Sequence, residues 1–235
     1  MSEMVPSRCI GLIGGLGVGA SVYYYQELAK AHAARGRVLN LVMAHAHVDH
    51  VLGAVQAGDK DGLASYLAGL IGRLQAAGAE FAVIPAVAPH IAIAELIQLS
   101  PLPIVNLIDE LKRELEARQL RRVALFGTRF AVESRLFGHL GHLDVITPNP
   151  AEVDYIHATY LQLVGAGSGL VTQREGLSRL AHKLMERDGV EAVILAGTEL
   201  ALIFDESNTD FPNVNGARLH LDAIIRRATV PESPY

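Results

Sequence analysis

Cysteine is nearly absent from this sequence of 235 residues, in which Cys9 stands alone. A single thiol excludes an internal disulfide and any thiolate pair, which fits a reducing compartment. The sequence also has no apolar run close to the roughly 20 residues needed to cross a bilayer. No basic segment precedes an apolar one at the start, so no secretory signal is predicted. We therefore expect a soluble, cytoplasmic protein without a membrane partner.

A block of positive charge is missing as well. Twenty basic residues stand against 25 acidic ones, for a formal net charge of -5. Without a cationic patch to neutralise a row of phosphates, nucleic acid is not an expected partner. Half of the residues are apolar. The chain is long enough for one large or two small domains with cores of their own, and it can support an enzyme.

Short apolar runs alternate with helical patterns along the chain. The runs are rich in branched residues, as expected of buried parallel strands: they are CIGLIGG from Cys9, LNLVMAH from Leu39, FAVIPAV from Phe81, VALFGT from Val123 and AVILAGT from Ala192. Between them, apolar residues recur at helical spacing, for example from Leu63 to Leu74 and from Leu177 to Met185. This alternation predicts an α/β fold with helices on both faces of a parallel sheet.

A weak internal repeat suggests two similar half-chains. IGLIGGLG at Ile10 is similar to VALFGTRF at Val123, and GAEFAVIPAVAPH at Gly78 is similar to GVEAVILAGTEL at Gly189. We predict a first α/β domain from residues 1–105 and 213–235, and a second from residues 106–212. Because ligands gather at the carboxyl ends of parallel strands, a site between the halves is expected.

Four segments together resemble the aspartate/glutamate racemase superfamily. They are GLIGGLGVGASVYYYQEL (11–28), AGAEFAVIPAVAPH (77–90), FGTRFAVESRLF (126–137) and GVEAVILAGTEL (189–200). The resemblance covers nearly the whole chain. It implies two pseudo-symmetric Rossmann-like domains with parallel sheets, an active-site cleft between them, no cofactor and a homodimer.

The residues on which the family's chemistry depends are missing. The resemblance implies one cysteine in each half, and Ala86 and Gly197 stand at those two positions. A methyl group and a hydrogen transfer no protons, so racemisation by two thiols cannot run here. The substrate-binding positions that the resemblance implies are Gly15, Gly17, Ala86, Val87, Thr128, Phe137, Gly197 and Thr198. The apolar side chains of Ala86, Val87, Ala88, Ala131 and Phe137 favour a substrate that is bulkier and less charged than aspartate.

A histidine cluster follows the second predicted strand, with the order His45-x-His47-x-Asp49-His50. Alternate histidines in an extended segment point the same way, and these four side chains form a candidate site for a divalent metal such as zinc. The motif alone resembles that of metallo-β-lactamases, but the rest of the chain lacks their later histidine loop. Metal binding, metal-free catalysis or carboxylate binding, and plain capping or surface roles all stay open.

Several smaller signals accompany the cluster. His90, Thr198 and Glu199 are retained from the family pattern. Thr198 and Glu199 either offer polar groups to a ligand or cap a helix. Gly15-x-Gly17-x-x-Ala20 is a variant dinucleotide fingerprint, but its partner acid at the end of the second strand is replaced by His45.

The sequence therefore favours a cofactor-independent isomerase- or racemase-type enzyme that acts on a small carboxylate or amino-acid derivative without thiols. The candidate acids and bases are His45, His47, His50, His90 and Glu199. One alternative is a metal-dependent hydrolase, lyase or decarboxylase that uses the His45 to His50 cluster. Another is a relative that binds a carboxylate without converting it.

Overall fold

The computed structural model describes residues 5–229, which form two compact units. The first unit comprises residues up to Asn106 and from His220 onward, and the second runs from Leu107 to Leu219. The first boundary lies one residue from the expected position, and the second lies inside the last helix rather than after residue 212. No helix within residues 5–229 is long and apolar enough to cross a membrane.

The elements of the first unit alternate between strands and helices. The strands are β1 (Val5–Pro6), β2 (Ile10–Gly14), β3 (Arg37–Val38), β4 (Leu41–His45), β5 (Phe81–Val83) and β6 (Ile104–Val105). The helices are α1 (Val18–Ala34), α2 (Val48–Ala57), α3 (Lys60–Ala76) and α4 (Ile93–Leu99), with a 3-10 helix at Ala88–Ala92.

The second unit repeats this alternation. Its strands are β7 (Arg122–Phe126), β8 (Asp144–Ile146), β9 (Ala192–Leu195) and β10 (Asn213–Asn215). Its helices are α5 (Leu107–Ala117), α6 (Arg129–Glu133), α7 (Pro150–Ala166) and α8 (Val171–Asp188), with a 3-10 helix at Thr198–Leu202. The last helix, α9 (Gly216–Thr229), begins in the second unit and continues into the first.

The two units share one topology. The first contains a parallel sheet in the order β4-β2-β5-β6, and the second a parallel sheet in the order β8-β7-β9-β10. Within each four-stranded sheet, the strand that comes second in the sequence, β4 or β8, therefore lies at one edge. The strands that come first, third and fourth follow it in that order. Two Rossmann-like parallel halves were predicted, and this arrangement confirms them. The strand order reverses between the first and third strands, where ligands of such sheets bind.

The cores explain why these segments form strands and helices. Every residue of β2 is buried, as is every residue of β5 and β9. Helix α3 places its predicted apolar stripe, including Leu67 and Ile71, in the core of the first unit. It packs so closely on β2 that a Cβ at Gly11 would lie 3.1 Å from the Cβ of Leu74.

Helix α7 is fixed at its N-terminus, which matters because it carries His157 and Tyr160. Asn149 accepts the backbone N–H of Glu152, whose carboxylate accepts the N–H of Asn149 in return. The same carboxylate pairs with Arg187 at 2.8 and 3.1 Å. The Arg187 guanidinium lowers the pKa of Glu152 to about 2. Such reciprocal capping fixes where a helix starts.

Candidate active site

Gly15 and His45 meet at the carboxyl edge of the first sheet. Gly15 follows β2 with a φ of 88°, a conformation that favours glycine. A Cβ at this position would lie 2.5 Å from the carbonyl oxygen of Ala46 and 2.7 Å from Cε1 of His45. The imidazole of His45 therefore lies directly against the Gly15 backbone, while the residue stays exposed to solvent. Gly17, with a φ of 146°, precedes the first residue of α1.

The other members of the histidine cluster do not form the metal site that the motif predicts. Strand β4 ends at His45 and His47 keeps extended backbone angles, but α2 begins at Val48, so Asp49 and His50 lie on a helix rather than on the extended segment. The backbone N–H of His47 donates to the hydroxyl of Tyr66 at 2.7 Å, and the His50 ring lies 4.4 Å from the Tyr66 ring. Across residues 5–229, no group of three or more His, Cys, Asp or Glu side chains is placed to hold a metal ion.

Asp49, together with His47 and His50, nonetheless stays accessible to solvent. Asp49 lies in the first turn of α2, where a carboxylate interacts favourably with the helix dipole. His47, Asp49 and His50 are all exposed. Their placement agrees with helix-start and surface roles, which the sequence left open as one of three interpretations.

His90 belongs to a buried polar cluster. It is fully buried, and its Nδ1–H donates to the carbonyl oxygen of Ala86 at 2.9 Å. Its ring lies 6.4 Å from that of His220. The Nε2–H of His220 donates to the Val105 carbonyl at 2.8 Å, and its Nδ1 accepts the hydroxyl of Tyr24 at 3.1 Å. Burial lowers the pKa of His220 to about 3, so this imidazole is neutral.

Ala86 and Val87, which precede the 3-10 helix of the first unit, are also buried. The segment after β5 therefore presents two apolar side chains. One of them, Ala86, stands at the first of the two positions where the family resemblance implies a cysteine. His90 is held beside Ala86 by its hydrogen bond and is not open to solvent.

Cys9 lies at the other end of β2 from Gly15. It precedes Ile10, the first residue of the strand, and it is buried. Burial raises the pKa of its thiol, and the nearby Glu80 carboxylate raises the pKa further. The thiol is therefore protonated at neutral pH and does not replace the two expected cysteines.

In the second unit, Thr128 and Phe137 follow β7. The Thr128 hydroxyl accepts the backbone N–H of Ala131 at 3.1 Å and so caps α6. Phe137 is half-buried and lies in a left-handed turn, in which residues 135–138 all have φ between 52° and 81°. Consecutive non-glycine residues seldom adopt this conformation, because each costs roughly 1–2 kcal/mol.

A buried hydrogen-bonded group occupies the carboxyl end of β9. Thr198 and Glu199 are each only 1 % exposed. The Tyr160 hydroxyl donates to Oε2 of Glu199 at 2.5 Å, and the Thr198 hydroxyl donates to the same oxygen at 3.2 Å. Burial raises the pKa of Glu199 and holds that of Tyr160 well above its usual value. Glu199 is thus bound within the protein rather than presented to solvent.

Tyr160 also determines what can stand at position 197. A Cβ at Gly197 would overlap Cε2 of the Tyr160 ring and would lie 2.9 Å from its Cδ2. Real Cβ atoms essentially never come this close to another heavy atom. The Tyr160 ring therefore occupies the space that a cysteine side chain at position 197 would need.

We therefore expect Gly197→Cys to destabilise the protein by about 1–3 kcal/mol through overpacking. In a Tyr160→Ala background, the same substitution should cost far less, because the space is open. Urea unfolding of the wild type, both single variants and the double variant measures the coupling between the two positions. Additive effects would show that the ring does not exclude the thiol.

His157 is a candidate that the sequence did not single out. It lies on α7, is half-buried, and its Nδ1 accepts the backbone N–H of Arg129 at 3.3 Å. Burial lowers its pKa, as does the positive charge of Arg129, so the neutral form with its proton on Nε2 is favoured. Because Arg129 begins α6 just after β7, His157 is placed at the carboxyl edge of the second sheet. The i, i+3 spacing from His157 to Tyr160 was the available signal.

Comparison with known structures identifies the class of fold. An aspartate racemase homologue from Pyrococcus horikoshii matches with a TM-score of 0.76 and 25 % identity, over 93 % of this chain and 98 % of that one. An aspartate racemase from Picrophilus torridus matches with a TM-score of 0.72 and 20 % identity, over 93 % of each chain. A glutamate racemase from Francisella tularensis, solved with D-glutamate, matches with a TM-score of 0.61 and 12 % identity, over 96 % of this chain and 84 % of that one.

These likenesses establish the two-unit racemase fold. The family model for Asp/Glu/hydantoin racemases matches residues 13–224, and the chain belongs to that family. Its two departures from the family pattern at Ala86 and Gly197 thus lie within a racemase scaffold.

Proposed function

We propose that the protein is a cofactor-independent isomerase- or racemase-type enzyme that exchanges the proton on the carbon next to the carboxylate of a small acid. The observation that carries this proposal is an imidazole at the carboxyl edge of each parallel sheet. His45 lies against Gly15 in the first unit, and in the second unit His157, on α7, accepts the backbone N–H at the start of α6. Histidine thus takes the place of the missing thiols.

The environments of the two histidines suit proton transfer. A histidine titrates near neutral pH and acts as either acid or base. His45 is exposed, so a small acid can reach its ring. The pKa of His157 is lowered, which favours the neutral form that accepts a proton. The Gly15 to Gly17 turn leads into the N-terminus of α1, where backbone N–H groups attract a carboxylate.

The remaining candidates take supporting roles in this proposal. Glu199 and Tyr160 hold each other in the segment after β9 and position it, since their mutual hydrogen bond is buried. His90 fixes the Ala86 segment in the same way. His47 and His50 are exposed and are available for contacts with the carboxylate. A homodimer, which the family resemblance implies, is the proposed assembly.

Deuterium uptake tests the proposal. Purified protein is incubated in D₂O with a panel of D- and L-amino acids and 2-substituted monocarboxylic acids, and proton NMR follows the α-proton signal. We expect loss of that signal, dependent on the enzyme and unchanged by EDTA, for at least one acid. Saturable binding without exchange would instead identify a carboxylate-binding protein. Exchange lost on chelation, together with stoichiometric metal by elemental analysis, would favour the metal-dependent alternative.

A further inference from the structure

We infer that a pocket beside His45 binds the apolar side group of a substrate with a single carboxylate. The inference rests on the proposed function and adds the class of substrate. The pocket has a volume of about 200 Å³ and lies in the first unit, next to the Gly15 turn. Its lining includes Gly15, Val18, Val22, Tyr25, Met43 and His45.

Two elements bring the apolar side chains together. On α1, the spacing i, i+4, i+7 places Val18, Val22 and Tyr25 on one face of the helix. On β4, Met43 and His45 are two residues apart and therefore point to the same face of the strand. Side chains of α1 and of the end of β4 thus line the same pocket.

The apolar side chains that line this pocket are about half exposed or more. Val18 is 65 % exposed, Tyr25 50 %, and Val22 and Met43 48 % each. Single exposed apolar residues are common on protein surfaces, but a group of them around one concavity marks a site for a ligand or a partner.

The chemistry of the lining excludes a charged side group. Among the described residues that line the pocket, the titratable side chains are His45 and Tyr25, and none is Lys, Arg, Asp or Glu. Ser21, which also lines it, donates its hydroxyl to the carbonyl of Gly17 at 2.9 Å. A second carboxylate would find no arginine or lysine here to pair with, so it would gain nothing from leaving bulk water. An aromatic or branched alkyl group carries no charge and needs no such partner.

The size of the pocket agrees with a side group rather than a whole ligand. Sites that enclose a complete drug-sized molecule measure about 300–1,000 Å³. A pocket of about 200 Å³ accommodates only part of such a ligand. The carboxylate and the reacting carbon then lie outside it, toward Gly15 and His45. The substrate class is therefore monocarboxylic acids with an apolar group, not dicarboxylic acids such as aspartate.

Methionine methyl signals provide a direct test, since the sequence has four methionines, namely Met1, Met4, Met43 and Met185. Protein labelled with methyl-¹³C methionine is titrated with phenylacetate and, separately, with succinate. We expect the Met43 signal to shift saturably with phenylacetate, with at least tenfold weaker binding of succinate. Met185, which packs against the core of the second unit, serves as an internal control and should not shift.

A charge substitution sharpens the test. Val22→Arg should weaken phenylacetate binding at least tenfold and strengthen succinate binding, because it supplies the missing cation. Leu161→Arg is the matched control, since Leu161 is 50 % exposed on α7, and it should leave both affinities within twofold. Equal affinities for the two acids, or no Met43 shift with phenylacetate, would overturn the inference.

The other outcomes separate this inference from the function on which it rests. A Met43 signal that changes with protein concentration and not with phenylacetate would assign the patch to a second copy of the chain and overturn the inference. Deuterium exchange without a preference for phenylacetate would overturn the pocket assignment alone. The expected preference without exchange of any acid would support the pocket and contradict the proposed function.

Discussion

Replacing either His45 or His157 with asparagine should slow deuterium exchange at the substrate α-carbon by about 100-fold or more. General acid–base catalysis by one positioned side chain contributes roughly 10²–10⁴ in rate. Asparagine removes the titratable ring but keeps an acceptor, so Asn at position 157 can still accept the Arg129 N–H that His157 accepts at 3.3 Å. His45 is exposed, and its substitution should change stability little.

The exchange assay in D₂O measures this effect, with His142→Asn as the matched control. His142 is an exposed histidine of the second unit and has no role in the proposal. Its variant should keep the wild-type rate within twofold. Thermal unfolding confirms that each variant is folded. A full exchange rate in folded His157→Asn would remove the second unit's imidazole from the chemistry, and the same result for His45→Asn would remove the first.

The parts of the fold that the sequence predicts are those with an uninterrupted apolar run or with apolar residues at helical spacing. Each of the five apolar runs overlaps one strand, and these strands are β2, β4, β5, β7 and β9. The apolar stripes that begin at Leu63 and Leu177 lie on α3 and α8. Strands β6, β8 and β10 are only two or three residues long. Such segments are too short to show a period, and pairing with neighbouring strands decides their conformation.

In the candidate site, too, the sequence predicts the position of a residue only where a local pattern determines it. Gly15 and His45 follow predicted strands, so their place at the sheet edge could be foreseen. The placement of Asp49 and His50 could not be foreseen, because α2 begins at Val48 and strand spacing applies only while the backbone stays extended. The burial of Glu199 depends on Tyr160, which is 39 residues away in sequence. No local pattern contains that information.

Acidification should destabilise the protein through His220. Its folded pKa is about 3, because it is wholly buried and lies beside His90. In the unfolded chain the value is about 6.5. Between these values the unfolded state binds one more proton than the folded state, so stability falls as the pH falls. At about 1.4 kcal/mol per pH unit, the loss from pH 6.5 to pH 5 is about 2 kcal/mol, and it approaches about 5 kcal/mol near pH 3.

His220→Gln should remove this dependence, because the glutamine amide can donate to the Val105 carbonyl as Nε2 of His220 does, yet it does not titrate. The variant should lose some stability at pH 7, because the substitution alters the contact with Tyr24. Between pH 7 and pH 5, however, its free energy of unfolding should fall by about 2 kcal/mol less than that of the wild type. Urea unfolding at several pH values measures the difference. His142→Gln, at an exposed position, should run parallel to the wild type. If His220→Gln also runs parallel, His220 binds the same number of protons in the folded and unfolded states, and burial does not lower its pKa.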